Sequence, residues 1–257
     1  MLKIIAARFR QGFRTAPYPK TAPSLPDRFR GKPIIDSSRC PDDCRRCVEA
    51  CPTEALRKTG DSLQMDLGRC LFCADCEKIC PSHAVSFSKD HRLAVRSRKD
   101  LILTGEPLRL ADALDGKMRR LFGRSLKLRQ VSAGGCNACE ADVNVLNTLV
   151  FDLGRFGIQF VASPRHADGL LITGPVTQNM DLALRKTFEA LPSPAVVIAV
   201  GSCAISGGPF IGHPEIAGCP EKNIPIDLFI PGCPPHPYTI LDGLLRLLDR
   251  LESSSKK

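Results

Sequence analysis

Two cysteine runs about thirty residues apart carry the chemistry of the first half of the chain: Cys40-x3-Cys44-x2-Cys47-x3-Cys51-Pro52 and Cys70-x2-Cys73-x2-Cys76-x3-Cys80-Pro81. Such spacing lets one loop wrap three thiolates around a face of an iron-sulfur cube, while the fourth cysteine, beside a proline, ligates the neighbouring cube. The runs therefore predict two 4Fe-4S clusters with crossed ligation. Cluster A takes Cys40, Cys44, Cys47 and Cys80; cluster B takes Cys51, Cys70, Cys73 and Cys76. The gap between Cys40 and Cys44 holds three residues where two are usual, a longer loop that can still close. Structural zinc and disulfides are the competing readings. Zinc favours paired C-x2-C or mixed Cys/His sets, and disulfides favour an oxidising compartment.

Four further cysteines follow short apolar runs. Cys136 and Cys139 lie in Gly134-Gly135-Cys136-Asn137-Ala138-Cys139-Glu140, Cys203 in Gly201-Ser202-Cys203, and Cys233 in Pro231-Gly232-Cys233-Pro234-Pro235. The runs before them, Ser125 to Val131, Ala195 to Val200 and Ile226 to Ile230, read as strands, as do Ile158 to Val161 and Leu170 to Thr173. Helical stripes lie between them: Val143, Leu146, Val150 and Leu153; Leu184, Phe188 and Leu191 behind an Asp181 cap; and a Leu-rich stretch from Tyr238 to Leu251. This alternation predicts an α/β, doubly wound, mostly parallel sheet. The carboxyl ends of parallel strands share one edge, so Cys136, Cys139, Cys203 and Cys233 are expected to meet there around a third cluster, C. The glycines let backbone approach the sulfides and supply N–H donors. The alternative is four unrelated buried thiols. Cys219 stands outside the three sets and reads as an incidental loop thiol.

The expected organisation is a basic N-terminal helix and Pro-rich arm (1–33), a two-cluster α+β segment (34–100), a linker (101–125), the sheet (126–251) and a tail (252–257). Leu2, Ile5, Phe9 and Phe13 recur at helical spacing among Lys3, Arg8, Arg10 and Arg14. Pro17, Pro19, Pro23, Pro26 and Pro33 then favour an extended strap. The segment after each Cys-Pro pair repeats as a short apolar stretch, Glu54 to Leu56 and Ala84 to Phe87.

At 257 residues, the chain is long enough for two cores. Thirteen cysteines without a secretory signal point to a reducing, cytoplasmic setting, and no run is long and apolar enough to span a bilayer. The net charge of +9 is carried by the first half, where residues 1–130 hold 27 Lys and Arg against 15 Asp and Glu. An acidic protein or anionic lipid suits that face. With no Trp and two Tyr, the chain lacks a base-stacking platform, and nucleic acid is excluded as a partner.

The segment from about 126 to 250, with Gly-Gly-Cys-Asn-Ala-Cys-Glu, Ser163-Pro164-Arg165-His166-Ala167-Asp168, Gly201-Ser202-Cys203 and Pro-Gly-Cys-Pro-Pro, resembles the small subunits of membrane-associated group 4 nickel-iron hydrogenases, especially of formate hydrogenlyase. These are similar to the 20 kDa subunit of complex I. Residues from about 28 to 100, with Phe29-Arg30-Gly31-Lys32-Pro33 and Leu67-Gly68-Arg69-Cys70-Leu71-Phe72-Cys73, resemble the two-cluster, bacterial-ferredoxin-like subunit of the same assemblies, kin to the complex I 23 kDa subunit.

The resemblance implies a flavodoxin-like sheet and a proximal role for cluster C beside a large subunit that holds the catalytic nickel. It implies an electron-transfer subunit working with a hydrogenase large subunit or a complex I 49 kDa-like subunit, other subunits of a membrane-bound complex, and an electron-donor protein. It also implies a peripheral place on the cytoplasmic face of the inner membrane, through partner subunits. The Cys136-x2-Cys139 spacing is hydrogenase-like, since complex I relatives have adjacent cysteines there; delivery to quinone is the alternative. Glu140 could carry protons or cap its helix; Arg165, His166 and Asp168 suit a partner contact or a local ion pair; His213 and His236 read as loop residues.

Overall fold

Strands buried on both faces read as uninterrupted apolar runs, and Gly169–Thr173 and Val196–Val200 are such runs, buried at every position. A computed structural model describes residues 2–41, 43–122 and 125–251, apart from the Lys222 side chain; the predicted tail, 252–257, lies outside the described residues. In chain order the elements are α1 (Leu2–Gln11), β1 (Pro33–Ile35), α2 (Arg46–Glu49), β2 (Leu56–Thr59), β3 (Ser62–Asp66), α3 (Asp75–Ile79), β4 (Val85–Phe87), β5 (Ile102–Leu103) and α4 (Gly116–Phe122). There follow β6 (Leu126–Ser132), α5 (Ala138–Val145), β7 (Ile158–Phe160), β8 (Gly169–Thr173), β9 (Val176–Thr177), α6 (Gln178–Glu189), β10 (Val196–Val200), α7 (Ser202–Ser206), β11 (Ile216–Gly218), β12 (Leu228–Ile230) and α8 (Pro237–Leu247).

The central sheet has the order β12-β10-β8-β6-β7, and its strands are parallel throughout. Ranked along the chain, this is the 2-1-3-4-5 order of a flavodoxin-like sheet, with its switch point between the first and third strands. Val143, Leu146, Ile240, Leu241 and Leu244 pack on one face with Leu126, Leu128, Ile198 and Ile230. The ferredoxin-like half covers part of the other face. Its Leu56, Met65, Leu67, Val85 and Val95 share a core with Val131, Leu170, Ile172, Val197 and Phe229 of the sheet. That half is built from two antiparallel units, β1 with β4 and β2-β3-β5, with α2 packed on α3.

Two helices start or stop elsewhere than the periodicity predicts. The stripe through Val150 and Leu153 is broken because α5 ends at Val145: Asn147 and Thr148 donate back three residues, and Asp152 turns with φ 48°. Helix α6 begins at Gln178 behind an extended Thr177, so Asp181 sits inside the first turn and pairs with Arg185 at 2.8 Å instead of capping. Among the described residues, no helix is long and apolar enough to cross a membrane.

Candidate metal centres

Each Cys-Pro pair opens the same five-residue turn. In Cys51-Pro52-Thr53-Glu54-Ala55 and Cys80-Pro81-Ser82-His83-Ala84, the fourth residue is left-handed, with φ 52° and 51°. That turn aims the next N–H back at the sulfur: Ala55 N donates to Cys51 Sγ at 3.2 Å and Ala84 N to Cys80 Sγ at 3.2 Å. The Thr53 and Ser82 hydroxyls lie 3.8 and 3.6 Å from the same sulfurs. Donors aimed at sulfur stabilise the reduced, more negative state of a bound cluster.

The thiols fall into three electrostatic groups. Burial raises Cys47 to about 11, and Cys80, Cys40 and Cys44 contribute to the rise. Burial raises Cys76 to about 12, with Cys73 and Cys51 contributing. Cys70 is pushed up chiefly by burial, with Cys76, Cys51 and Cys73 adding and the Phe72 N–H opposing. Burial raises Cys139, followed by Cys203, Glu140, Cys233 and Cys136; Cys203 stands at about 11 from burial and then Cys233 and Cys136. Cys80 runs the other way: burial would raise it, but the Ser82 hydroxyl and the backbone N–H groups of Ala84, Val85 and Ser82 bring it down. Cys80 thus lies near the thiols of the first run, Cys51 near those of the second, and Cys139 near Cys203, Cys233 and Cys136. Cys51, Cys70, Cys73 and Cys76 also line one cavity.

The groups also influence one another in series. Cys47 contributes to the rise of Cys76, and Cys73 to that of Cys233. A cleft of about 280 Å³ lies along this second junction, lined by Leu71 and Phe72 from the ferredoxin-like half and by Gly232, Cys233 and Pro234 from the sheet.

Group C sits on the segments that leave β6, β10 and β12 at the carboxyl edge, Cys136 and Cys233 in loops and Cys139 and Cys203 in the first turns of α5 and α7. Glycine is required there. A Cβ on Gly201 (φ 90°) would stand 2.5 Å from Cys139 Sγ, and one on Gly208 (φ 57°) would stand 2.7 Å from Cys203 Sγ. Asn137, at φ 69° between Cys136 and Cys139, reverses the chain into α5, as Ala74 at φ 63° does between Cys73 and Cys76. Asn tolerates that region better than Ala. Cys136 and Cys233 are exposed while Cys139 is buried, so the group opens outward from the sheet.

Among the described residues, no three His, Cys, Asp or Glu side chains converge tightly enough to bind a single metal ion. An all-thiolate donor set, N–H groups aimed at sulfur and backbone cleared of Cβ atoms fit a 4Fe-4S cube.

The remaining predicted residues have local roles. Glu140, buried, accepts from Ser132 Oγ at 2.5 Å and Thr173 Oγ1 at 2.8 Å. Asp168 Oδ2 accepts from the Lys127 N–H at 2.7 Å, and Arg165 and His166 belong to the short turn before it. His213 Nδ1 accepts from the Glu215 N–H. His236 is more than a loop residue: its Nδ1 caps α8 through the Tyr238 N–H, and its ring stacks on Tyr238. Cys219, half-buried, leads into the Pro220–Lys222 turn, apart from the three groups.

A buried polar network lies beyond the reach of the sequence reading. Tyr18 Oη donates to Asp242 Oδ1 at 2.8 Å, Arg246 Nε donates to Asp242 Oδ2 at 2.6 Å, and His91 Nε2 lies 3.3 Å from the Tyr18 hydroxyl. Its trace in the sequence is a lone acid in the Leu-rich α8.

Comparison with known proteins matches two separate segments of the chain. The family profile for the 20 Kd subunit of NADH ubiquinone oxidoreductase matches residues 136–247, and that for a 4Fe-4S dicluster domain matches residues 39–84. A probable membrane-bound hydrogenase subunit, mbhJ, of Pyrococcus furiosus is 39% identical over 137 residues, 53% of this chain and 82% of that one. Formate hydrogenlyase subunit 7 of Escherichia coli is 42% identical over 140 residues, 54% of this chain and 55% of that one. A subunit of the NADH-quinone oxidoreductase of Heliobacterium modesticaldum is 38% identical over 125 residues, 48% of this chain and 71% of that one.

Proposed function

We propose that this chain, which belongs to the family of the NADH ubiquinone oxidoreductase 20 Kd subunit and carries a 4Fe-4S dicluster domain ahead of that region, is the electron-relaying subunit of a membrane-associated group 4 nickel-iron hydrogenase of the formate hydrogenlyase kind. Cys40, Cys44, Cys47 and Cys80 hold cluster A; Cys51, Cys70, Cys73 and Cys76 hold cluster B; Cys136, Cys139, Cys203 and Cys233 hold cluster C. When bound, each cube accepts and releases one electron. The protein fixes their order and spacing, lowers their exposure and aims N–H donors at their sulfurs.

The observation that carries this reading is the serial placement of the groups: Ser202, next to Cys203, donates to the Cys70 carbonyl at 2.6 Å, and Cys47 acts on the charge of Cys76 and Cys73 on that of Cys233. It gives charge a route from the ferredoxin-like half to the outward-opening edge of the sheet. The partner at that edge is a large subunit holding the catalytic nickel, and an electron-donor protein meets the other end. The proposed division is 34–100, a connecting 101–125 and 126–251, with β5 at the start of the connection completing the β2-β3-β5 sheet of the first unit.

The first test is iron and acid-labile sulfide, expected at about twelve each per chain for three cubes; about eight would leave only two. The second is the sequence of the co-purifying large subunit. Paired C-x2-C motifs there support hydrogen chemistry. Their absence would favour the second reading, delivery to quinone in a complex I-like assembly, which the match to the 20 Kd family keeps in play.

A further inference from the structure

Helix α1 buries none of its residues. Leu2, Ile5 and Phe9 recur along one face, and Phe13 continues it just past the last turn, at 83%, 50%, 85% and 81% exposure. Gly12 (φ 63°) ends the helix, and Arg8 folds over that end. Its guanidinium donates to the Gly12 carbonyl at 3.2 Å and lies 4.1 Å from the centre of the Phe13 ring. A cation and a bulky ring are thus presented at the same level.

The charge is of one sign. Lys3, Arg8, Arg10, Arg14 and Lys20 precede the first acid of the chain, Asp27. The helix is also leashed closely to the body. Ala16 N donates to the Val150 carbonyl at 2.8 Å, and Arg155 Nη2 donates to the carbonyls of Ala16 at 2.8 Å and Tyr18 at 3.0 Å. At that anchor, Leu149 and Val150 are themselves exposed and extend the apolar surface.

We propose that α1, Phe13 and the Leu149–Val150 knob form an interfacial anchor that seats directly on anionic lipid headgroups, without a partner subunit as intermediary. An apolar face of Leu, Ile and Phe backed by an acid-free Lys/Arg face is the composition of helices that lie in the plane of a bilayer surface. A leaflet rich in anionic lipid offers the laterally uniform negative potential that five same-sign residues match. A protein partner would meet the helix with a patch of its own, which normally selects some opposite charge from both sides. A single helix of this length gives weak, reversible binding. That is enough to fix the orientation of a subunit whose leash is only a few residues long.

The test is flotation of the full chain, with its iron and sulfide in place, on vesicles of phosphatidylcholine alone and on equimolar phosphatidylcholine and phosphatidylglycerol. Flotation is expected with the anionic vesicles and should weaken with added salt. The Arg8→Gln/Arg10→Gln variant should lose roughly 25-fold in affinity, about fivefold for each arginine near an anionic surface. Ile5→Gln/Phe9→Gln should lose at least about tenfold by removing buried apolar area. Iron content should be unchanged in both, because these side chains are exposed and far from the cysteines in sequence. Equal flotation of wild type and both variants overturns the proposal. So does an absence of flotation on either vesicle combined with protection of α1 from proteolysis only when another subunit is present, which would make this surface a protein interface.

Discussion

Ser202 Oγ donates to the backbone carbonyl of Cys70 at 2.6 Å, and the Ser202 N–H donates to the Gly232 carbonyl at 2.8 Å. One buried residue at the start of α7 thus ties the Cys70 loop to the Cys203 turn and to the Cys233 loop. Ser202→Ala leaves the Cys70 carbonyl without this partner in a buried setting, a loss of about 1–3 kcal/mol. Thermal midpoints should fall accordingly. Electron transfer between B and C, followed by rapid-freeze electron paramagnetic resonance, should slow while both signals persist. An unchanged rate would show that the hydroxyl does not set the spacing.

Cys233→Ser tests the independence of the third group. Cys233 is exposed on the loop that follows β12, away from the shared core of the ferredoxin-like half. On the proposed three-cluster relay, one of three paramagnetic signals should disappear and activity of the complex should vanish. Loss of all three would mean global unfolding instead.

Gly201→Ala makes the same cut through backbone. The new Cβ meets Cys139 Sγ at 2.5 Å, and φ 90° is strained for any side chain, at a cost of order 1–3 kcal/mol before the clash is counted. Iron should fall by about four per chain, with the first two groups still loaded.

His91 gives the fold a pH dependence. Burial holds its pKa below the ordinary value of 6.5; Asp242 and Asp90 oppose that shift, and Arg92 and Arg246 add to it. The folded state keeps the ring neutral where the unfolded chain binds a proton, so this stability is whole above about pH 6.5 and drains as pH falls through that value. His236 is shifted the same way by burial and by His91. The thermal midpoint should drop on acidification from about pH 7.5 to 5.5, and less steeply in His91→Gln. Parallel curves for the two proteins would sink this account.

Much of this is legible in the residues because thiolate spacing and strand pattern are both local signals. Cys203 and Cys233 can be placed at one edge from the apolar runs before them, β10 and β12. Other features depend on tertiary contact. Nothing local marks Tyr18 as the partner of Asp242, 224 residues away. The left-handed Glu54, Ala74 and His83 are held by the turns around the cysteines and not by propensity. Asp181 is misplaced by the pattern because a cap and a first-turn acid look alike in sequence.

The proline-rich arm and the last helix clasp each other through Tyr18 and Asp242, while Val95 and Phe229 exchange backbone hydrogen bonds across the middle. A protease nick in the connecting segment should therefore leave two pieces that travel together on a gel-filtration column. A gene split at that point would encode subunits already shaped to find one another.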